Sequence, residues 1–171
     1  MPKKIRLGIL GGGGDSLIGV LHRVAAHMYD SYEIVGAVFS PELQESLDFA
    51  KQIDIPLNRI YKDFDTLVEE ELKLPESERM QVCSIQTPNF LHFPMAKKLL
   101  DNGFHVICEK PMTTTYEEAR ILEEFPGARV VDLVEEEENI SLDLELFTLS
   151  LSIETDNWVF VETDNFKVVS S

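Results

Sequence analysis

Ile5-Arg6-Leu7-Gly8-Ile9-Leu10-Gly11-Gly12-Gly13-Gly14-Asp15-Ser16 is the stretch on which the fold turns. Its first six residues are mostly apolar, short enough for a strand buried on both faces, and they run straight into four glycines. From Ser16 onward the apolar positions Leu17, Ile18, Leu21, Val24, Ala25 and Met28 follow the spacing of one helical face. Strand, glycine turn and helix, in that order, are what the diphosphate of a dinucleotide requires. Gly11 permits the tight turn and Gly13, after Gly12, lets the phosphate reach bare backbone, while the helix N-terminus supplies amide donors and a dipole. Ser16 stands where a third small residue usually packs helix on strand. Asp15 is a misfit, because a carboxylate beside a phosphate is unfavourable unless it points to solvent. Glycine-rich turns also serve as plain connectors, so the flanking strand and helix carry the reading.

The alternation continues. Residues 34–39 read as a second strand, and Ser40-Pro41 supplies an N-cap hydroxyl and a first-turn proline for a helix burying Leu43, Leu47 and Ala50. A short extended piece at Ile60-Tyr61 and a helix bearing Phe64, Leu67, Val68 and Leu72 follow, then a polar loop over residues 73–79. Residues 80–86 form the next buried strand. Asn89 caps a helix carrying Phe93, Ala96, Leu99 and Leu100, which Gly103 ends before a fourth strand at 104–108. Thr115-Tyr116-Glu117-Glu118 fits a capping box opening a helix with Ala119 and Leu122, which stops before Pro126-Gly127. The expected fold is α/β: a Rossmann-type doubly wound parallel sheet with helices on both faces and a short C-terminal β-rich segment.

That segment differs in texture. Residues 128–171 hold 11 of the 31 acidic residues and 2 of the 15 basic ones, and so −9 of the formal −16. After the acidic run at 135–138, Ile140, Leu142, Leu144 and Leu146 alternate with polar residues, as do Leu149, Leu151 and Ile153 after a one-residue slip. Glu154-Thr155-Asp156-Asn157-Trp158 recurs as Glu162-Thr163-Asp164-Asn165-Phe166, each Asp-Asn suiting a turn. These patterns predict a β-meander with a bulge near Phe147, and a division into a dinucleotide-binding domain (1–127) and an acidic tail (128–171). Strands with one apolar face cannot bury it alone, which predicts packing on the first domain or on a second copy, with a homodimer favoured.

A net charge of −16 argues against nucleic acid or an anionic membrane as partner and for a small ligand. Cys83 and Cys108 lie in apolar runs, as reduced core thiols do, which implies a cytoplasmic setting. The N-terminal apolar run is too short for a secretory leader, and no segment approaches the roughly 18 to 20 apolar residues that span a bilayer. No spaced loop of alternating oxygen ligands exists, so no metal is expected. The acidic residue that usually holds the ribose about 20 positions after the glycine turn is missing, since Phe39-Ser40 occupies that place. Glu33 stands at the wrong end of its strand. With neither an Asp there nor an Arg, the choice between NAD and NADP stays open.

Leu7-Gly8-Ile9-Leu10-Gly11-Gly12-Gly13, Ser84-Ile85-Gln86-Thr87-Pro88-Asn89-Phe90-Leu91-His92 and His105-Val106-Ile107-Cys108-Glu109-Lys110-Pro111 occur in the order and spacing seen in glucose-fructose oxidoreductase/inositol dehydrogenase (Gfo/Idh/MocA) proteins. The chain resembles that family from residue 1 to about 127, most specifically at Glu109-Lys110-Pro111 and the following Thr113-Thr114-Thr115. The resemblance implies an NAD(P)-dependent oxidoreductase acting on sugars, cyclitols or related hydroxy compounds. It implies that Lys110 lies beside the nicotinamide and assists proton transfer from the substrate hydroxyl, that Glu109, Pro111, Thr87, Pro88 and Asn89 line the cofactor, and that His92 contacts it. A surface lysine is the plainer reading of Lys110, but its place at the carboxyl end of a parallel strand favours a functional role. His22, His27 and His105 read as structural. In the family a large substrate domain follows, with a further catalytic histidine. Here 44 residues follow position 127 and His105 is the last histidine, so the expectation is a chain that binds cofactor but is incomplete as a catalyst. The alternatives are a non-catalytic dinucleotide sensor or scaffold, and a truncated relic whose composition changes near residue 128.

Overall fold

The computed structural model describes residues 4–28, 30–125, 129–132 and 159–162, the last two stretches by their backbone alone. Strand β1 (Ile5–Gly11) is buried at its five central positions. A strand so apolar is stable only inside a sheet, and β1 lies between β2 (Tyr32–Val38) and β3 (Val82–Gln86), parallel to both. Strand β4 (His105–Cys108) pairs parallel with β3. Beyond it the sheet changes direction: β5 (Arg129–Asp132) is the outermost strand, and β6 (Val159–Glu162) runs antiparallel between β4 and β5, giving the order β2-β1-β3-β4-β6-β5.

Alternation along the strands feeds two cores. Leu7 and Ile9 pack with Ala26, Ala37, Phe39 and Ala50 beneath α1 (Leu17–Met28) and α2 (Leu43–Gln52). Leu10, Cys83 and Ile85 face the other way, toward Leu67, Val68, Leu99 and Leu122 on α3 (Phe64–Lys73), α4 (His92–Asp101) and α5 (Tyr116–Glu123). Each fully buried aliphatic side chain among them contributes about 1.5–3 kcal/mol. The doubly wound parallel sheet expected from the sequence is therefore present. Its chain leaves β1 for β2 on one side and returns to β3 on the other, which opens a crevice at the carboxyl ends of β1 and β3.

The expected helices form, with corrections to their faces and starts. On α1 the buried residues are Gly19 and Ala26, whereas Leu17, Val24 and Met28 are 65%, 52% and 55% exposed. The reason is proximity: a Cβ on Gly19 would lie 1.9 Å from the Gly12 carbonyl oxygen, so only the smallest residues fit between helix and turn. Helix α2 starts at Leu43 rather than Pro41, because the Ser40 hydroxyl accepts from the Glu42 amide in the preceding turn, and Leu43 is exposed. Asn89 opens a single 3-10 turn (Asn89–Leu91) instead of capping α4 directly. The capping box at Thr115 and Glu118 is as expected, and Gly103 ends α4 with φ +78°. Cys83 and Cys108 are buried and not bonded to each other. The tail's predicted strands at 140–153 lie outside the described residues, and the sheet itself continues past position 127 through β5 and β6.

A buried carboxylate ties the connections together. Glu71, on α3, accepts from Arg59 Nε at 2.9 Å and Nη2 at 2.5 Å, from the Tyr61 hydroxyl at 2.7 Å and from the Met80 amide at 2.7 Å. Burial, then the neighbouring Glu71, pushes the Tyr61 phenol up to about 12. The clip fixes α3 to the segment entering β3.

Candidate active site

The glycine turn leaves β1 with positive φ at Gly11, Gly12 and Gly14. Gly11 sits on the Gln86 backbone, where a Cβ would come 2.6 Å from the carbonyl oxygen, and a Cβ on Gly13 would come 2.8 Å from the Phe39 carbonyl. Gly14, by contrast, faces open space. Ser16 caps α1, its hydroxyl accepting from the Gly19 amide at 3.1 Å, while Gly19 takes the close-packing role. The amides of Gly13, Gly14 and Asp15 donate to no group among the described residues. Bare backbone donors at a helix N-terminus suit a diphosphate in charge and shape, so the residues present fit a dinucleotide. Asp15 is exposed, which removes the conflict its charge posed.

At the end of β2 the Ser40 hydroxyl donates to Glu45 Oε2 at 2.6 Å, and its amide donates to Ser46 Oγ at 2.9 Å. Glu45, in the first turn of α2, thus brings a carboxylate to the place where the sequence showed none. The missed signal was an acid in the first turn of the following helix, five residues beyond the usual position.

The other wall comes from β3 and β4. Thr87, Pro88 and Asn89 leave β3, and Glu109-Lys110-Pro111 leaves β4 with a cis bond between Lys110 and Pro111. His92 joins them: Nδ1 lies 2.8 Å from the Pro111 carbonyl oxygen and Nε2 lies 2.7 Å from that of Thr87. The ring is fully buried. It sits between the two turns, where a neutral ring, with one N–H, donates to one of the two carbonyls. Glu109 is buried too, 2.6 Å from His22 Nε2 on α1, whereas Lys110 makes no hydrogen bond or ion pair among the described residues. Burial, then Glu109, pushes the Cys108 thiol up to about 12, so it stays protonated and unreactive. Among the described residues no cluster could hold a metal ion, and no helix is long and apolar enough to cross a membrane. The large open pocket formed by the last turns of α1 and α2 lies at the opposite edge of the sheet, lined by Lys4, Met28, Tyr32 and Ile55.

A doubly wound sheet with a glycine turn and a strand-end lysine along one edge defines a dinucleotide-binding domain of the Rossmann class. The chain matches the profile of the oxidoreductase family with NAD-binding Rossmann fold over residues 5–137, and it belongs to that Gfo/Idh/MocA family. It is 32% identical over 119 residues to the glucose-6-phosphate 3-dehydrogenase of Bacillus subtilis, a match covering 70% of this chain and 29% of that protein. It is 37% identical, with a TM-score of 0.69, to the inositol dehydrogenase homolog of Azotobacter vinelandii solved with NADH and myo-inositol, covering 73% of this chain and 32% of that one. An oxidoreductase from Pseudomonas syringae gives 34% identity and a TM-score of 0.69, over 73% of this chain and 34% of that structure. The chain thus spans about 30% of the length of the curated relatives it matches over comparable stretches.

Proposed function

We propose that this chain binds NAD or NADP along the carboxyl edge of β1–β4 and serves hydride transfer between the nicotinamide and a sugar, cyclitol or related hydroxy compound. The observation that carries the reading is the convergence of the Gly13, Gly14 and Asp15 backbone amides, which donate to no group among the described residues, with the Lys110 strand end across one crevice. The named substrates of the relatives, glucose 6-phosphate and myo-inositol, support the substrate class. When bound, the dinucleotide supplies the hydride acceptor. The glycine-turn amides would hold its diphosphate, Ser40 with Glu45 its ribose, and Thr87, Pro88, Asn89 and Pro111 the rest of its length. Lys110, without a hydrogen bond or ion pair among the described residues, would hold the substrate hydroxyl and take up its proton.

Residues 1–127 act as the dinucleotide-binding domain and the acidic residues 128–171 as an appended segment that contributes β5 and β6 to the same sheet, a division supported by the change in composition. General acid/base catalysis is worth roughly 10²- to 10⁴-fold, and His92, whose two ring nitrogens face carbonyls, is not placed to serve Lys110 as a second proton-transfer group. That geometry favours a chain in which binding exceeds turnover, and it is also the observation behind a second reading, a dinucleotide-binding module without catalysis. A cytoplasmic setting, supported by the buried free thiols, and a homodimer, supported by the apolar alternation from Ile140 to Ile153, complete the proposal; light scattering tests the dimer. At a hundredfold excess over Kd a dinucleotide should stabilise the protein by about 2.7 kcal/mol. For a chain of this size the melting temperature should then rise by roughly 5 to 11 °C. No shift with NAD, NADH, NADP or NADPH at millimolar concentration overturns the reading.

A further inference from the structure

Three elements meet at the buried carboxylate that precedes Lys110. His22, on the second turn of α1, reaches across the sheet edge so that Nε2 lies 2.6 Å from Glu109 Oε1, with both side chains less than a tenth exposed. Its other nitrogen, Nδ1, lies 3.0 Å from Ser84 Oγ on β3, and Gln86 Nε2 donates to the same hydroxyl at 2.9 Å. The chain of contacts runs Gln86, Ser84, His22, Glu109 and ends one residue short of Lys110.

Proton counting gives this chain a direction. Since Gln86 donates to Ser84, the serine proton is free to go to His22 Nδ1. That leaves the imidazole neutral with its proton on Nε2, donated to an ionised Glu109. The pair then carries one negative charge. Protonating His22 puts a proton on Nδ1, turns the Ser84 hydroxyl away and brings the pair to zero charge. Other charged or titratable groups described at this corner include Arg23, whose Nη1 donates to the Gly12 carbonyl at 2.6 Å, Lys110 itself, His92 between its two carbonyls, and the Cys108 thiol, which stays protonated.

We propose that His22 is a positioning residue that sets the net charge of its pair with Glu109 and thereby the preference of the site for oxidised over reduced dinucleotide. The inference rests on the dinucleotide-binding reading above. An oxidised nicotinamide ring is cationic and a reduced one is neutral, so an anionic His22–Glu109 pair beside it favours the oxidised form. Protonation of His22 removes that preference. A histidine that merely packed α1 on the sheet would affect both forms alike.

The experiment measures Kd for NAD and NADH by titration across about pH 5 to 9, the span in which an imidazole changes charge, for the wild type, His22→Gln and Glu109→Gln. In the wild type the ratio of the two constants should shift toward NADH by about three- to tenfold as pH falls, the size expected of one nearby charge. His22→Gln keeps a donor to Glu109 but gains no proton, so its ratio should stay at the high-pH value throughout. Glu109→Gln, whose pair is already uncharged at high pH, should show the wild type's low-pH ratio there. Nitrogen NMR of the imidazole in the chain without ligand gives a readout independent of both variants and should show the neutral Nε2–H tautomer at high pH. A pH-flat wild-type ratio, a pH dependence that persists in His22→Gln and so belongs to His92, or the Nδ1–H tautomer overturns the proposal. Absence of binding by either dinucleotide at every pH overturns the reading of the previous section instead, whereas binding with a flat ratio sinks only this one.

Discussion

Gly19→Ala sets two physical effects against each other, and the structure says which wins. In an exposed helix interior, replacing glycine by alanine stabilises by about 1 kcal/mol through backbone entropy alone. At position 19 the new methyl would lie 1.9 Å from the Gly12 carbonyl oxygen, 2.6 Å from its carbonyl carbon and 2.7 Å from its Cα. All three are backbone atoms, so no side chain can swing aside. Relief requires α1 to retreat from the turn by an ångström or more, with an overpacking cost of about 1–3 kcal/mol that can exceed that range for a rigid backbone. A net loss of about 2 kcal/mol lowers the melting temperature by roughly 4 to 8 °C for a chain of this size. The same retreat moves the amides of Gly13, Gly14 and Asp15, so dinucleotide affinity should fall in parallel. Thermal denaturation with and without NADH reads both effects. Gly14→Ala is the control, because its Cβ would meet nothing within 4 Å and only the φ of +56° opposes it, costing about 1–2 kcal/mol. A Gly19→Ala protein as stable as the wild type, with unchanged affinity, would refute the reasoning.

Replacing Lys110 by Ala should leave dinucleotide affinity within a few fold and abolish any oxidation of sugars or cyclitols, since its contribution is to the transition state; paired titration and reduced-nicotinamide absorbance measure the two. Glu45→Gln removes the carboxylate that Ser40 brings to the ribose end, so NADPH binding should improve relative to NADH, and an unchanged ratio would place the ribose elsewhere. Arg59→Met leaves the buried Glu71 without its cation and should cost about 3–5 kcal/mol in urea denaturation, the usual penalty for stranding one partner of a buried pair. Tyr61, with its folded pKa raised from 10.0 to about 12, contributes stability that is fully present below pH 10 and lost as pH rises toward 12; Tyr61→Phe should flatten that part of the stability profile.

The sequence carried the strands well because a doubly buried strand is a short, mostly apolar run, and residues 5–10 or 82–86 admit little else. Helix faces were less legible. The apolar stripe of α1 pointed to Leu17, Val24 and Met28, but how closely α1 approaches the turn is decided by Gly19, and a missing side chain leaves no mark in a hydrophobic pattern. At the site, the glycine turn and the Glu109-Lys110-Pro111 strand end were readable because their chemistry is local. The pairing of His22 with Ser84 and Glu109, and that of Glu71 with Arg59, were not, since each joins elements distant along the chain. Glu45 fell between these cases, its carboxylate only five residues from Ser40 but joined to it by the first turn of α2.

The insertion of β6 between β4 and β5 bears on how the chain is made. Cys108 pairs with Val159, and Asp132 pairs with the same residue from the other side, so neither flanking strand finds its neighbour until residues 159–162 have left the ribosome. The parallel sheet of β1 to β4 can assemble earlier, but the outer edge of β4 then presents unpaired amides and carbonyls to the cell. Bringing strands so far apart in sequence together adds little thermodynamic cost, about 0.6 kcal/mol for each doubling of the separation. The exposure is therefore one of time rather than energy. A nascent or shortened chain ending before residue 159 would keep the glycine turn and both hydrophobic cores and yet be open to pairing with a stranger's strand.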